Sequence, residues 1–198
     1  MSGATQTSTG ALQAIEAAFR LTSLQNDVEC MRTSAHLLAS GAEIASLMGD
    51  EKGVQSRLGV SEKWLERIPG QHEEFDRASW YEIAGVCALH MQQDEIAVRR
   101  LIQAREILPP QSTLRNITAS MPLVMAYAII GERNLSIATA EQALPLLQAM
   151  DAPGMIHQFV EYKTCALTRA FPHDARIEMF LGDMRHQLQP QKVSSIIE

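Results

Sequence analysis

Helix-stopping turns recur along this chain at a nearly constant interval, and that interval restricts the folds open to it. Gly49, Gln92, Gly131 and Pro172 fall 43, 39 and 41 residues apart. Between them, apolar residues return at spacings of three, four and seven, the period of an amphipathic helix. Aligned on these turns, the helix that follows carries Ser61, Ala104 and Ala143 in register, with Trp64, Ile107 and Leu146 three residues further on. The helix that precedes carries Ala45, Ala88 and Tyr127. A small residue at a fixed place lets paired helices approach closely, and a large one beside it fills the gap to the next pair. One helical hairpin cannot bury its own apolar face, so hairpins of this kind stack.

Local stop and start signals divide the chain into nine expected helices. Residues 1–10 are rich in Ser, Thr and Gly and are expected to fray. Helices are then expected at about 10–24, 27–48 (capped by Asp27), 50–68, 74–91, 94–108, 112–130, 133–150, 155–170, and a last one ending near Gln189. Pro69-Gly70, Pro109-Pro110 and Asp151-Ala152-Pro153-Gly154 separate them. Pro122 lies inside the sixth, which should kink there or start only near Ser120. No segment alternates with period two for long enough to form a strand. Aromatic residues are only 5%, which also disfavours a sheet. The expectation is an all-α fold, an α-solenoid of about four helix hairpins: a short flexible N-terminus (1–10), one repeat domain (11–189) and a C-terminal tail (190–198).

The stretch from Ala78 to Gln111, ASWYEIAGVCALHMQQDEIAVRRLIQAREILPPQ, resembles a tetratricopeptide repeat. Tyr81 is its bulky opening residue and Ala84-Gly85 the small pair at the helix crossing. Ala97 opens its second helix, Leu101 fills the core, Ala104 is the second small contact and Pro109 closes the unit. The next unit resembles the longer variety of the same family through Tyr127, Gly131, Ala140, Ala143 and Leu144, with Ser136 where alanine is usual. The units around 35–67 and 155–189 match only in outline. The resemblance is to the helical repeat domains of bacterial regulators and adaptors. It implies a right-handed superhelix that binds another protein or a peptide and is not an enzyme.

In that family the first helix of each pair lines a concave groove. On the fourth helix Glu82, Val86, Leu89 and His90 share a face through helical spacing. The equivalent stripe on the sixth is Met121, Met125, Ala128 and Ile129, and on the second Ala39, Glu43, Ser46 and Leu47. Methionines adapt to irregular partners. The family's clamp for a terminal carboxylate uses lysines and asparagines, and these stripes have none.

A competing local signal is SRLGVSEKWLERIPG, residues 56–70, which resembles the turn and recognition helix of a helix-turn-helix DNA reader. On that alternative Ser61 caps the recognition helix and Glu62, Lys63 and Glu66 face the groove, as in the DNA-linked sensor of a transcription regulator. Two of those three residues are acidic, and residues 1–77 hold 7 basic and 11 acidic side chains. The whole chain carries −6, so nucleic acid is an expected partner only on this alternative.

A small helical enzyme is the third reading, and the sequence gives it little. The six histidines are scattered, and no HExxH, GxSxG or glycine-rich phosphate loop occurs. The cluster His72-Glu73-Glu74 reads as a solvated charge run. Cys30, Cys87 and Cys165 lack metal spacing and are expected as buried free thiols. No metal and no cofactor are expected. Arg99, Arg100 and Arg105 are expected to pair with Glu95 and Glu106 on a wet face. The first residues are unlike a secretory signal and no apolar run reaches spanning length, so a cytoplasmic protein off the membrane is expected. Terminal hairpins without polar caps also favour a homodimer.

Overall fold

The computed structural model describes residues 2–25, 27–68, 75–150 and 153–188, and every regular element among them is an α-helix. In order these are α1 (Ser2–Thr22), α2 (Val28–Leu47), α3 (Glu51–Leu65), α4 (Arg77–His90), α5 (Asp94–Ile107), α6 (Thr113–Ile129), α7 (Arg133–Ala149), α8 (Pro153–Ala170) and α9 (Ala175–Leu188). The all-helical expectation holds, with no strand among the described residues. The chain groups into two compact units, residues 1–115 and 116–198, where the sequence reading treats 11–189 as one array. The tail 190–198 and the His72-Glu73-Glu74 cluster lie outside the described residues.

Local chemistry explains the helix ends. Asp27, Asp50 and Asp76 each stand at an N-cap and accept a hydrogen bond from the backbone N–H three residues on, at Cys30, Gly53 and Ser79. Residues 2–10 are helical rather than frayed. No proline interrupts them, and adding residues to an existing helix is far easier than nucleating one. α6 runs unbroken through Pro122.

The turns repeat in three dimensions as they do in sequence. Gly49, Gln92 and Gly131 have φ of 74°, 57° and 80°. Their N–H groups donate to the carbonyls of Ser46, Leu89 and Ala128. The next N–H groups, of Asp50, Gln93 and Glu132, donate to Ala45, Ala88 and Tyr127. Each turn is thus a Schellman closure that satisfies carbonyls the helix end would leave open. The fourth left-handed residue is His173, with φ of 61°, one place after the expected Pro172. Proline's ring fixes φ near −65°, so it cannot take that conformation itself.

In unit 1, α2 packs against α1, α3 and α4, and α4 packs against α5. Its core is Ala35, Ala39, Leu65, Phe75, Trp80 and Ala84, with a second cluster of Ala42, Ala45, Val54 and Cys87. Ser61 is wholly buried and its hydroxyl donates to the Ala35 carbonyl at 2.7 Å, tying α3 to α2. α4 and α5 meet at Gly85, where a Cβ would stand 2.6 Å from Leu101 Cγ. In unit 2, Ile117, Val124, Leu147, Phe159, Leu167, Ile177 and Met184 are among the core residues. Ser136 repeats the device of Ser61, donating to the Val124 carbonyl at 2.8 Å. Lys163 is fully buried, its Nζ donating to the Ser120 carbonyl at 3.0 Å and lying 4.9 Å from the Phe159 ring.

Candidate functional site

The strip shared by α2 and α4 in unit 1 gathers the polar groups of greatest chemical interest. Helical spacing puts Glu43, Ser46 and Leu47 on one face of α2, and Glu82, Val86, Leu89 and His90 on one face of α4. Because α2 packs on α4, the two faces meet. Ser46 Oγ donates to the Glu43 carbonyl at 2.6 Å and contacts His90 Nδ1 at 2.8 Å. The imidazole tautomer decides which of Ser46 Oγ and His90 Nδ1 donates. Ser46 is only 3% exposed. The contact ties α2 to α4.

Glu82 is the most perturbed acid of the strip. Burial pushes its carboxyl up to about 7, Arg115 pulls it down, and Glu43 and Asp76 add like charge. It makes no hydrogen bond with the described residues. The Arg115 guanidinium instead grips Asp76 with both nitrogens, Nη2–Oδ1 at 2.6 Å and Nη1–Oδ2 at 3.0 Å. Burial raises the Asp76 carboxyl, but Arg115 and the Ser79 N–H more than offset it and hold it below the usual carboxylate range. Beside Ser46, burial pushes the Cys87 thiol up to about 12, so it stays protonated and unreactive. The strip thus offers a half-buried carboxyl able to hold a proton near neutrality, an imidazole edge, and apolar surface from Val86, Leu89 and the 63% exposed Leu47.

The other sequence candidates divide. On α6, Ala128 is buried in the unit 2 core and Met121 packs against it. What that helix leaves open is Ile129, 45% exposed, and the half-buried Met125. The helix-turn-helix segment lacks its turn: α3 is continuous through Leu58, Gly59, Val60 and Ser61. Ser61 therefore sits inside a helix with its hydroxyl buried against α2, and does not cap a recognition helix. Glu62 pairs with Arg77 at 3.1 Å, while Lys63 and Glu66 are exposed. Residues 69–70 of that segment lie outside the described residues.

Two further expectations change. Arg100 lies over the Trp80 and Tyr81 rings at 5.2 and 5.4 Å, because the small residues of α4 bring those aromatics within its reach. All three cysteines are free, but only Cys87 is buried. Cys30 sits in the first turns of α2 and is half-buried, and Cys165 faces outward on α8. Among the described residues, no group of three or more His, Cys, Asp or Glu side chains is placed to hold a metal ion.

Sequence reading names Glu82 and His90 but misses the Ser46–His90 bond, the Asp76–Arg115 pair and the buried Lys163. No local pattern announces these contacts, which join residues 39 to 44 positions apart. Comparison with known proteins gives no match to a family model, a curated protein or a solved structure.

Proposed function

We propose that this protein is a non-catalytic scaffold that binds another protein or a peptide along the exposed faces of its first-of-pair helices. The observation that carries the reading is the recurrent hairpin closure at Gly49, Gln92 and Gly131, with a fourth left-handed residue at His173, which spaces the turns at near-equal intervals. On this reading the pairs belong to a tetratricopeptide-like solenoid of about four hairpins. Such arrays bind through side chains presented at repeated positions. In unit 1 the contact surface is Leu47, Glu82, Val86, Leu89 and His90; in unit 2 it is Met125 and Ile129. A partner brings apolar anchors to this surface, and a basic or hydrogen-bond-donating group to Glu82. The reading further supposes a cytoplasmic chain able to form a homodimer, with no cofactor. The one structural fact bearing on membranes is that no helix among the described residues is long and apolar enough to cross one.

The test is capture from native lysate with the purified chain, with and without nuclease. A stoichiometric, nuclease-resistant protein that Val86→Arg releases supports the reading. Val86→Arg and Met125→Glu variants that keep the wild-type melting midpoint and every partner would overturn it. Capture of nuclease-sensitive material alone would favour the regulator alternative.

A further inference from the structure

A second surface lies in unit 2, on the outer sides of α7 and α9, and it is separate from the strip above. Arg133, the first residue of α7, pairs with Asp174, which caps the start of α9, at 2.5 Å. The two helices therefore begin side by side. Residues 134–148 of α7 and 176–184 of α9 line one cleft of about 610 Å³, so the helices run in the same direction along it. Its floor is apolar, from Ile137, Leu144, Phe180 and Met184, Met179 stands on its bank 66% exposed, and the exposed Arg176 lines it near the start of α9, two turns before Asp183. That volume falls within the usual range of ligand sites. Glu141 and Asp183 are exposed and lie eight and nine residues beyond Arg133 and Asp174, which puts them at the same height on opposite banks. Neither makes a hydrogen bond or an ion pair with the described residues.

We propose that this groove is a second docking surface, one that seats a helical segment of another protein with apolar anchors and a central lysine or arginine. Helix-in-groove recognition places anchors at i, i+4 and i+7, and the floor pairs Ile137–Leu144 and Phe180–Met184 stand seven and four residues apart. The occupant's cation lies between the two carboxylates, which select its charge and its register, while the floor excludes water from the anchors. The groove uses no residue of the α2–α4 strip, so this proposal stands or falls apart from the proposed function.

The experiment measures fluorescence anisotropy at low salt on the full chain. The probes are two labelled amphipathic peptides with identical leucine anchors, one with lysine and the other with glutamate at the central position. The lysine peptide is expected to bind at least about tenfold more tightly, and a Glu141→Lys/Asp183→Lys variant to reverse that preference. Met179→Glu should weaken binding by about tenfold or more. All substituted groove positions are exposed, so unchanged melting midpoints check the fold. Equal binding of the two peptides, or a preference that survives charge reversal, would overturn the proposal. Binding that emerges only after truncation behind Leu188 would also overturn it, assigning the groove to residues 189–198 of the same chain. A dimer that Met179→Glu dissociates would assign it to a second copy.

Discussion

Replacing Glu82 with glutamine should stabilise the protein, and more so in mild alkali than in mild acid. A glutamate in the unfolded chain releases its proton near 4.5, whereas burial among Glu43 and Asp76 makes the folded chain hold it to about 7. The folded state thus binds more protons between those values, and stability falls as pH rises through the window. At 1.36 kcal/mol for each tenfold step, the penalty above neutrality is about 3 kcal/mol, most of which develops between pH 5 and pH 8. Glutamine keeps the shape and carries no titrating proton. Asp76 and Asp174, held below the carboxylate range by Arg115 and Arg133, titrate outside this window. Urea unfolding of both proteins at pH 5 and pH 8 is the assay. The gain from Glu82→Gln should be larger at pH 8 by about 2–3 kcal/mol. An equal gain at both pH values would refute the burial argument and make Glu82 an ordinary ionised surface acid.

Two glycines should respond oppositely to alanine. Gly59 has nothing within 4 Å of an added Cβ, so Gly59→Ala should stabilise α3 by up to about 1 kcal/mol. At Gly85 the same propensity gain meets Leu101, which is fully buried and cannot retreat, so overpacking of about 1–3 kcal/mol should make the net effect a loss. Urea midpoints that move in the same direction for both would contradict this packing account. Ser61→Ala and Ser136→Ala should each cost about 1 kcal/mol by deleting a buried hydrogen bond between paired helices. The double variant should cost the sum, because the sites share no partners, and thermal or urea unfolding of the three variants checks it.

Most of the secondary structure was legible because its causes are local. An aspartate cap, a left-handed glycine or a proline pair acts within a few residues, so ends such as Asp94, Arg133 and Ala170 were read correctly. The small residues Ser61, Ala104 and Ala143 were also legible as buried contacts, since a recurring period reports a recurring geometry. The site was less so. A stripe drawn from helical spacing cannot say which of its members a neighbouring helix covers, which is why Ala128 and Ser46 turned out buried and Ile129 open. Local resemblance failed at 56–70 for a related reason. L-G-V-S is compatible with a turn, but the pull of Ser61 and Leu65 into the α2 contact keeps the helix straight through it. Lys163 shows the limit most plainly: nothing near it in sequence says that a cation there meets backbone carbonyls from a helix over 40 residues away.

The left-handed closures at Gly49, Gln92 and Gly131 also bear on how the chain reaches this state. Each joins two helices through hydrogen bonds that span no more than five residues. A hairpin can therefore form before any distant segment has been found, and the entropy of closing a long loop is met late and in small steps. Helical proteins dominated by such near-neighbour contacts fold in about microseconds to milliseconds. The same locality lets folding begin at any of several hairpins and spread from there.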